Sequence, residues 1–233
     1  MPDYRDFDRL NTIIRIEGIL VNETPLRIGT GKEPPLGAPV DVAVYRVNGI
    51  PCIPGSSLKG LFRNYVEMAS TSKGVKVHEP WNKDAIEDEA KRGDFCPVCG
   101  IFGSTELASH IRVYDAFPKD NRFYSFQKTG TSIDREFGSV RAGSLFTEEL
   151  ITPMTEWTFK MDVINIDLYS EQEVEDKRKE LLKSLLTTLT TIGLSIGSRK
   201  SVGYGLIKLK EAKWRKYKFV EGELKLVDKG DAI

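Results

Sequence analysis

The chain has 233 residues and carries 34 Lys and Arg against 34 Asp and Glu, a formal net charge of zero. That balance excludes the indiscriminate coating in nucleic acid seen with strongly basic proteins, so any such binding must use local patches. No apolar signal core opens the chain and no uninterrupted apolar run reaches bilayer length. The three cysteines do not make a disulfide framework. A cytoplasmic protein with reduced thiols and no membrane partner is expected.

In chain order, Thr12 to Val21 alternates, with Ile14, Ile16, Gly18 and Leu20 on one side and Arg15 and Glu17 on the other, which predicts a strand with one buried face. Leu26 to Leu36 is rich in glycine and proline and reads as a loop. Val42 to Val47 predicts a short strand that turns at Asn48-Gly49 into Ile50 to Ile53. A helix over Ser57 to Ala69 follows. Ser70 to Asp94 is polar and weakly periodic, so it reads as an insertion. Ile111 to Phe117 predicts a strand, and Lys119 to Pro153 an irregular stretch containing a hairpin. Trp157 to Leu168 alternates again, Glu171 to Thr191 has helical spacing, and Gly205 to Trp214 predicts the last strand, followed by a weaker tail.

The resulting order of strand, helix, strand, strand, helix, strand is the α+β, ferredoxin-like pattern (βαββαβ) shared with the RNA-recognition fold. One domain over residues 1–233 is expected. Its core covers about 12–69, 111–118 and 157–214, with an insertion at 70–110 and a hairpin within about 119–153.

The most informative stretch is Ile53-Pro-Gly-Ser-Ser-Leu-Lys-Gly-Leu-Phe-Arg63. A Pro-Gly turn leads into two candidate helix caps, Ser56 and Ser57, and Lys59 and Arg63 share one helical face. A helix start with unpaired N–H groups and two cations suits a phosphate; an ordinary capped helix with solvated cations is the alternative. Leu58, Phe62, Tyr65, Val66 and Ala69 form the opposing apolar stripe. A second stretch, Ile196-Gly-Ser-Arg-Lys-Ser-Val-Gly-Tyr-Gly205, carries four glycines with Ser198, Arg199 and Lys200. Glycines allow close backbone approach and the cations supply charge, so phosphate binding accounts for both, while a plain helix-to-strand loop accounts only for some of the glycines.

Cys96-Pro-Val-Cys99-Gly has half of the ligands of a tetrahedral zinc site. His78 is the best third candidate, and His110, Cys52 or an acid such as Asp94 a fourth; a pair of unmetallated thiols is the alternative. The acidic cluster Asp84, Glu87, Asp88 and Glu89 reads as a solvated helix face. The tail with Lys208, Lys210, Lys213, Arg215, Lys216 and Lys218, interleaved with Trp214, Tyr217 and Phe219, fits either RNA stacking or a solvated strand face.

Leu26-Arg-Ile-Gly-Thr-Gly, Gly37-Ala-Pro-Val-Asp41, the Ile53–Arg63 box and the Gly197–Gly205 segment occur in the order found in the RAMP superfamily, the repeat-associated RNA-binding subunits of CRISPR systems. The chain resembles most the repeated backbone subunit of type III (Csm/Cmr-like) effector complexes, over residues 12–214. Ile133-Asp-Arg-Glu-Phe-Gly followed by Leu145-Phe-Thr-Glu-Glu resembles that group's projecting thumb hairpin. The resemblance implies a subunit that stacks with further copies of itself and with other CRISPR effector subunits along a guide RNA paired to a target RNA. It implies guide and target contacts from Arg27, Ser56, Ser57, Lys59, Arg63, Gly197, Ser198, Arg199, Lys200 and Gly203, with Ile133 and Arg135 on the thumb. Arg27 stands where such proteins often carry histidine.

Asp41 matches the position of the catalytic aspartate in these subunits, which implies endonuclease cleavage of target RNA. There the adjacent 2′-OH attacks the phosphate, and a carboxylate orients that hydroxyl or holds a divalent ion (Mg or Mn). Structural zinc in the insertion is also implied, with His78, Cys96 and Cys99 as ligands. Alternative expectations are a non-cleaving subunit of the same complex, or a guide-precursor nuclease, for which no histidine- or tyrosine-based acid/base set can be assembled.

Overall fold

The computed structural model describes residues 4–29, 40–170 and 176–232. Its first strand, β1 (Ile13–Asn22), buries Ile14, Ile16 and Leu20 completely on one face, as the alternation requires. The chain then makes the short ladder β2 (Arg46–Val47) and β3 (Ile50–Pro51) and enters α1 (Gly55–Ser72). The insertion holds α2 (Lys83–Arg92) and α3 (Pro97–Phe102). Next come β4 (Ile111–Val113), the hairpin β5 (Ser125–Gly130) and β6 (Phe146–Ile151), then β7 (Thr155–Ile164). Helix α4 (Lys177–Thr191), the two-residue β8 (Leu194–Ser195), β9 (Leu206–Val220) and β10 (Glu223–Asp231) complete the order.

The main sheet is antiparallel and runs β10-β9-β1-β7-β4, with β8 added alongside β9. The fold is therefore mixed α+β around an antiparallel sheet. Leu58, Phe62 and Val66 of α1 and Leu181, Leu182, Leu185, Leu186 and Leu189 of α4 are buried in one cluster with the inner side chains of β1, β7 and β9. Each such side chain contributes about 1.5–3 kcal/mol by leaving water. Tyr65 adds a polar link, its hydroxyl lying 2.6 Å from Thr188 Oγ1 on α4. Among the described residues no helix is long and apolar enough to cross a membrane.

Several boundaries differ from the sequence expectation, each for a physical reason. Gly18 sits where β1 and β9 slip register between Glu17 and Ile19, and a Cβ there would lie 3.0 Å from the Lys210 carbonyl oxygen. The weak tail is instead a long hairpin: β10 pairs along β9 from Glu223–Val220 to Asp231–Lys213. Trp214 stacks 4.2 Å from Tyr169 and Lys216 pairs with Asp167 at 2.5 Å, so part of the basic-aromatic tail is used internally. Residues 30–39, which include most of the expected glycine- and proline-rich loop and Gly37-Ala-Pro39 before Asp41, lie outside the described residues, as do 171–175 at the expected start of the second long helix.

Candidate functional site

Three sequence-distant segments meet at the base of the β5–β6 hairpin. Leu26 exchanges backbone hydrogen bonds with Ile151 at 3.1 and 2.9 Å, which holds the Leu26–Gly29 segment against the end of β6. The Asp41–Val44 segment runs beside the same strand through Asp41 N to Thr147 O at 2.9 Å and Glu149 N to Val42 O at 3.0 Å. The glycine-rich loop closes on both. Gly197 has φ +85°, and a Cβ there would stand 2.2 Å from the Arg27 carbonyl oxygen; at Gly205 it would stand 1.9 Å from the carbonyl oxygen of Ile196. These two positions admit only glycine, for the approach of backbone to backbone as much as for the dihedral.

The side chains gathered there are Arg27, Ser198, Arg199 and a residue that sequence reasoning left inside the thumb motif, Glu148. Arg27 Nε donates to Ser198 Oγ at 2.6 Å, and its Nη1 to Glu148 Oε2 at 2.6 Å. Arg199 Nε lies 3.2 Å from the same Glu148 oxygen. Glu148 is buried at 1 % exposure, whereas Arg199 keeps 38 % of its side chain in solvent. Arg199 also lies 4.5 Å over the Phe146 ring, and that ring covers Gly130 across the hairpin. Two guanidinium groups on one carboxylate leave a single net positive charge at the surface. Lys200 and Gly203 are exposed beside it, and Lys128 Nζ donates to the Tyr204 hydroxyl at 2.6 Å. Phosphate oxygens suit such a fixed, charged donor set.

Asp41 is exposed at the edge of this site. Its Oδ2 accepts from Thr147 N at 2.6 Å, so the carboxylate is oriented by the hairpin backbone. Its other oxygen has no partner among the described residues. Ile133 is 68 % exposed near the tip, bridged to Val140, with Arg135 exposed beyond it. Phe137 at 80 % exposure and Leu145 at 67 % extend the same apolar tip.

The start of α1 departs from the expected capping. The N-cap is Pro54, and neither Ser56 nor Ser57 caps the helix. Gly55 N donates instead to Asp115 Oδ1 at 2.7 Å, and a Cβ on Gly55 would fall 2.3 Å from the Val113 carbonyl oxygen. The Pro-Gly pair thus lets the helix begin tight against β4, and the cap comes from 60 residues away. Ser56 stays exposed and Ser57 partly so. Lys59 has no side-chain partner among the described residues; burial, then the neighbouring Arg63 guanidinium, hold its ammonium pKa below the usual value. Arg63 turns away toward the insertion, with Nε on Glu67 Oε1 at 2.9 Å and Nη1 on Gly103 O at 3.1 Å. No side-chain contact joins Lys59 or Arg63 to Arg27 or Arg199 among the described residues. Backbone links do run between the two stretches, from Ile28 O to Tyr45 N at 2.7 Å and from Tyr45 O to Cys52 N at 3.1 Å.

In the insertion, the donor atoms of His78, Glu89, Cys96 and Cys99 all lie within 4.8 Å of one another. His78 Nε2 is 3.6 Å from Cys96 Sγ, 3.4 Å from Cys99 Sγ and 3.0 Å from Glu89 Oε2. A tetrahedral ion with bonds of about 2.0–2.3 Å has ligand–ligand edges of roughly 3.3–3.8 Å, so these residues fit one with little movement. Pro97 starts α3 so that Cys96 is its N-cap and Cys99 its third residue, turning both sulfurs inward. The pair opens a short helix that follows α2 rather than a strand. The Cys99 thiol donating to Cys96 brings the Cys96 pKa down to about 7, and the same bond together with burial pushes Cys99 up.

Glu89 supplies the fourth donor, where the sequence pointed to His110, Cys52 or Asp94. His110 is fully buried and its Nε2 lies 2.8 Å from Asp6 Oδ1. Cys52 is buried beside α1, its thiol pushed up to about 11 by burial. Glu89 is thus not part of a solvated helix face, its side chain being 13 % exposed: α2 ends at Gly93 in the left-handed region, which brings its last turns beside Cys96 N, a donor to Glu89 Oε2 at 3.2 Å.

The RAMP superfamily model matches residues 20–208 of the chain, a stretch that includes every segment of both sites. No curated protein matches it.

Proposed function

The chain belongs to the RAMP superfamily, and from that premise we propose that it is a guide-RNA-binding backbone subunit of a type III CRISPR effector complex, which also cleaves target RNA. The observation that carries this reading is the convergence of Arg27 and Arg199 on buried Glu148, with Ser198 accepting from Arg27, next to exposed Lys200 and Asp41. Such donors grip a backbone without reading bases, and pairing between guide and target supplies the sequence. The β9, β1, β7 and β4 strands with α1 and α4 form the ferredoxin-like core of a single domain under this proposal. The β5–β6 hairpin, with Ile133, Arg135 and Phe137 at its tip, is the thumb that inserts between bases.

Asp41 takes the catalytic role. Held by Thr147 N through one oxygen, it has the other free among the described residues to orient or deprotonate a 2′-OH placed by the cradle. A magnesium or manganese ion bound there, with Asp41 as its protein ligand, would supply stabilisation of charge on the phosphate. The His78, Glu89, Cys96 and Cys99 set is proposed to hold structural zinc.

The test is Asp41→Ala in the assembled complex. Target cleavage is expected to fall by at least about a hundredfold, the scale of a lost general base, with guide affinity retained. Unchanged cleavage would mean that the subunit organises RNA without cutting it.

A further inference from the structure

Resting on the reading of the cysteine cluster as a metal site, we propose that Arg63 is a positioning residue of that site, through which the bound ion holds α1 against the insertion. Arg63 lies one turn beyond Lys59 on α1, yet its side chain is only 17 % exposed and all three of its guanidinium nitrogens have partners. Nη2 approaches Cys99 Sγ at 3.9 Å, Nη1 donates to Gly103 O at 3.1 Å and Nε donates to Glu67 Oε1 at 2.9 Å. Gly103 is the residue that closes α3, with φ +80°, and a Cβ there would sit 2.9 Å from both Leu107 O and Ser109 N. Arg63 reaches both a cysteine inside α3 and the carbonyl at its end, while Glu67, one turn further along α1, fixes the plane of the guanidinium.

Charge gives the reason. Two thiolates, one carboxylate and a neutral imidazole carry three negative charges, and a divalent ion neutralises two of them. One negative charge remains among buried cysteines. Lys76 and Arg92 border the same pocket, but among the described residues Arg63 is the permanent cation placed on a ligating sulfur, and a guanidinium there steadies the thiolate that binds the metal. Partners one shell out from a metal are worth 10–100-fold in its affinity. A lysine at this place could meet the charge but not the three-way geometry. The consequence for the helix is direct: the side chain that anchors the ion also sets the position of the turn carrying Lys59, so metal loading and the presentation of Lys59 are linked.

The experiment uses the full-length protein loaded with zinc or cobalt(II). Arg63→Gln is expected to lose zinc to a competing chelator about 10–100-fold more readily than wild type. Its cobalt form should show a shifted thiolate-to-metal charge-transfer band, a signal that loss of packing alone would not move. Arg63→Lys, which keeps the charge and most of the volume, should recover part of the retention. Lys59→Gln, which removes a neighbouring cation, should hold zinc like wild type. Equal retention and an unshifted band in Arg63→Gln would overturn the proposal, as would equal losses in Arg63→Gln and Lys59→Gln. Wild-type protein that takes up neither metal would remove the metal-site reading itself, a result distinguishable from the other two.

Discussion

The two cation-bearing stretches that look alike in sequence end in opposite electrostatic states. Around Arg27 and Arg199, two guanidinium groups converge on one buried carboxylate and leave a net positive, partly exposed surface. On α1, the two cations separate: Arg63 is taken up by Glu67, Gly103 and Cys99, and Lys59 alone is left without a carboxylate partner among the described residues. A motif cation is available to a ligand only after its own neighbours have been counted. In the first site the shared carboxylate holds Arg27 inside and leaves Arg199 partly in solvent; in the second the neighbours draw Arg63 inward.

Glu148→Gln would break the comparison most severely. It leaves Arg27, whose side chain is 11 % exposed, without its charge partner, and removing one partner of a buried pair costs about 3–5 kcal/mol. At about 2–4 °C per kcal/mol for a chain of this size, a fall in melting temperature of roughly 6–20 °C is expected. A melting temperature unchanged within error would mean that the convergence on Glu148 does not hold the cradle together.

Gly197→Ala sharpens the same contrast with a smaller effect. The added Cβ meets the Arg27 carbonyl oxygen and the residue must keep φ +85°, a combination worth roughly 2–3 kcal/mol. The loop is expected to lift from Arg27, so RNA affinity should fall along with stability. Wild-type stability and affinity together would show that close approach of the two backbones is not required.

The sequence made some of this legible and hid the rest for reasons of distance along the chain. Period-two alternation located β1 and β7, and the helical spacing of Leu181 through Leu189 located α4, because each pattern is local. The Ile53–Arg63 box marked the start of α1, but its cap, Asp115, comes from beyond the insertion, so Ser56 and Ser57 looked like caps. Cys96, Cys99 and His78 were found from donor type, and the structure brings them together. Glu89 was masked by its place among other acids of α2. Glu148 was hidden most deeply: its partner Arg27 lies 121 positions away, and nothing in a single sequence separates the fully buried Glu148 from the partly buried Glu149 beside it. The β10 strand was missed because its side chains are exposed on both faces, so no alternation marks it.

The most direct test of the central claim is the affinity of the protein for a single-stranded RNA of guide length, measured across a salt series for wild type, Lys200→Glu and Lys59→Glu. Each lysine that neutralises a phosphate contributes about 0.7 to the slope of log affinity against log salt. The account predicts that both variants bind more weakly whatever the base sequence, each with a shallower slope. Wild-type slope and affinity in both variants would contradict it.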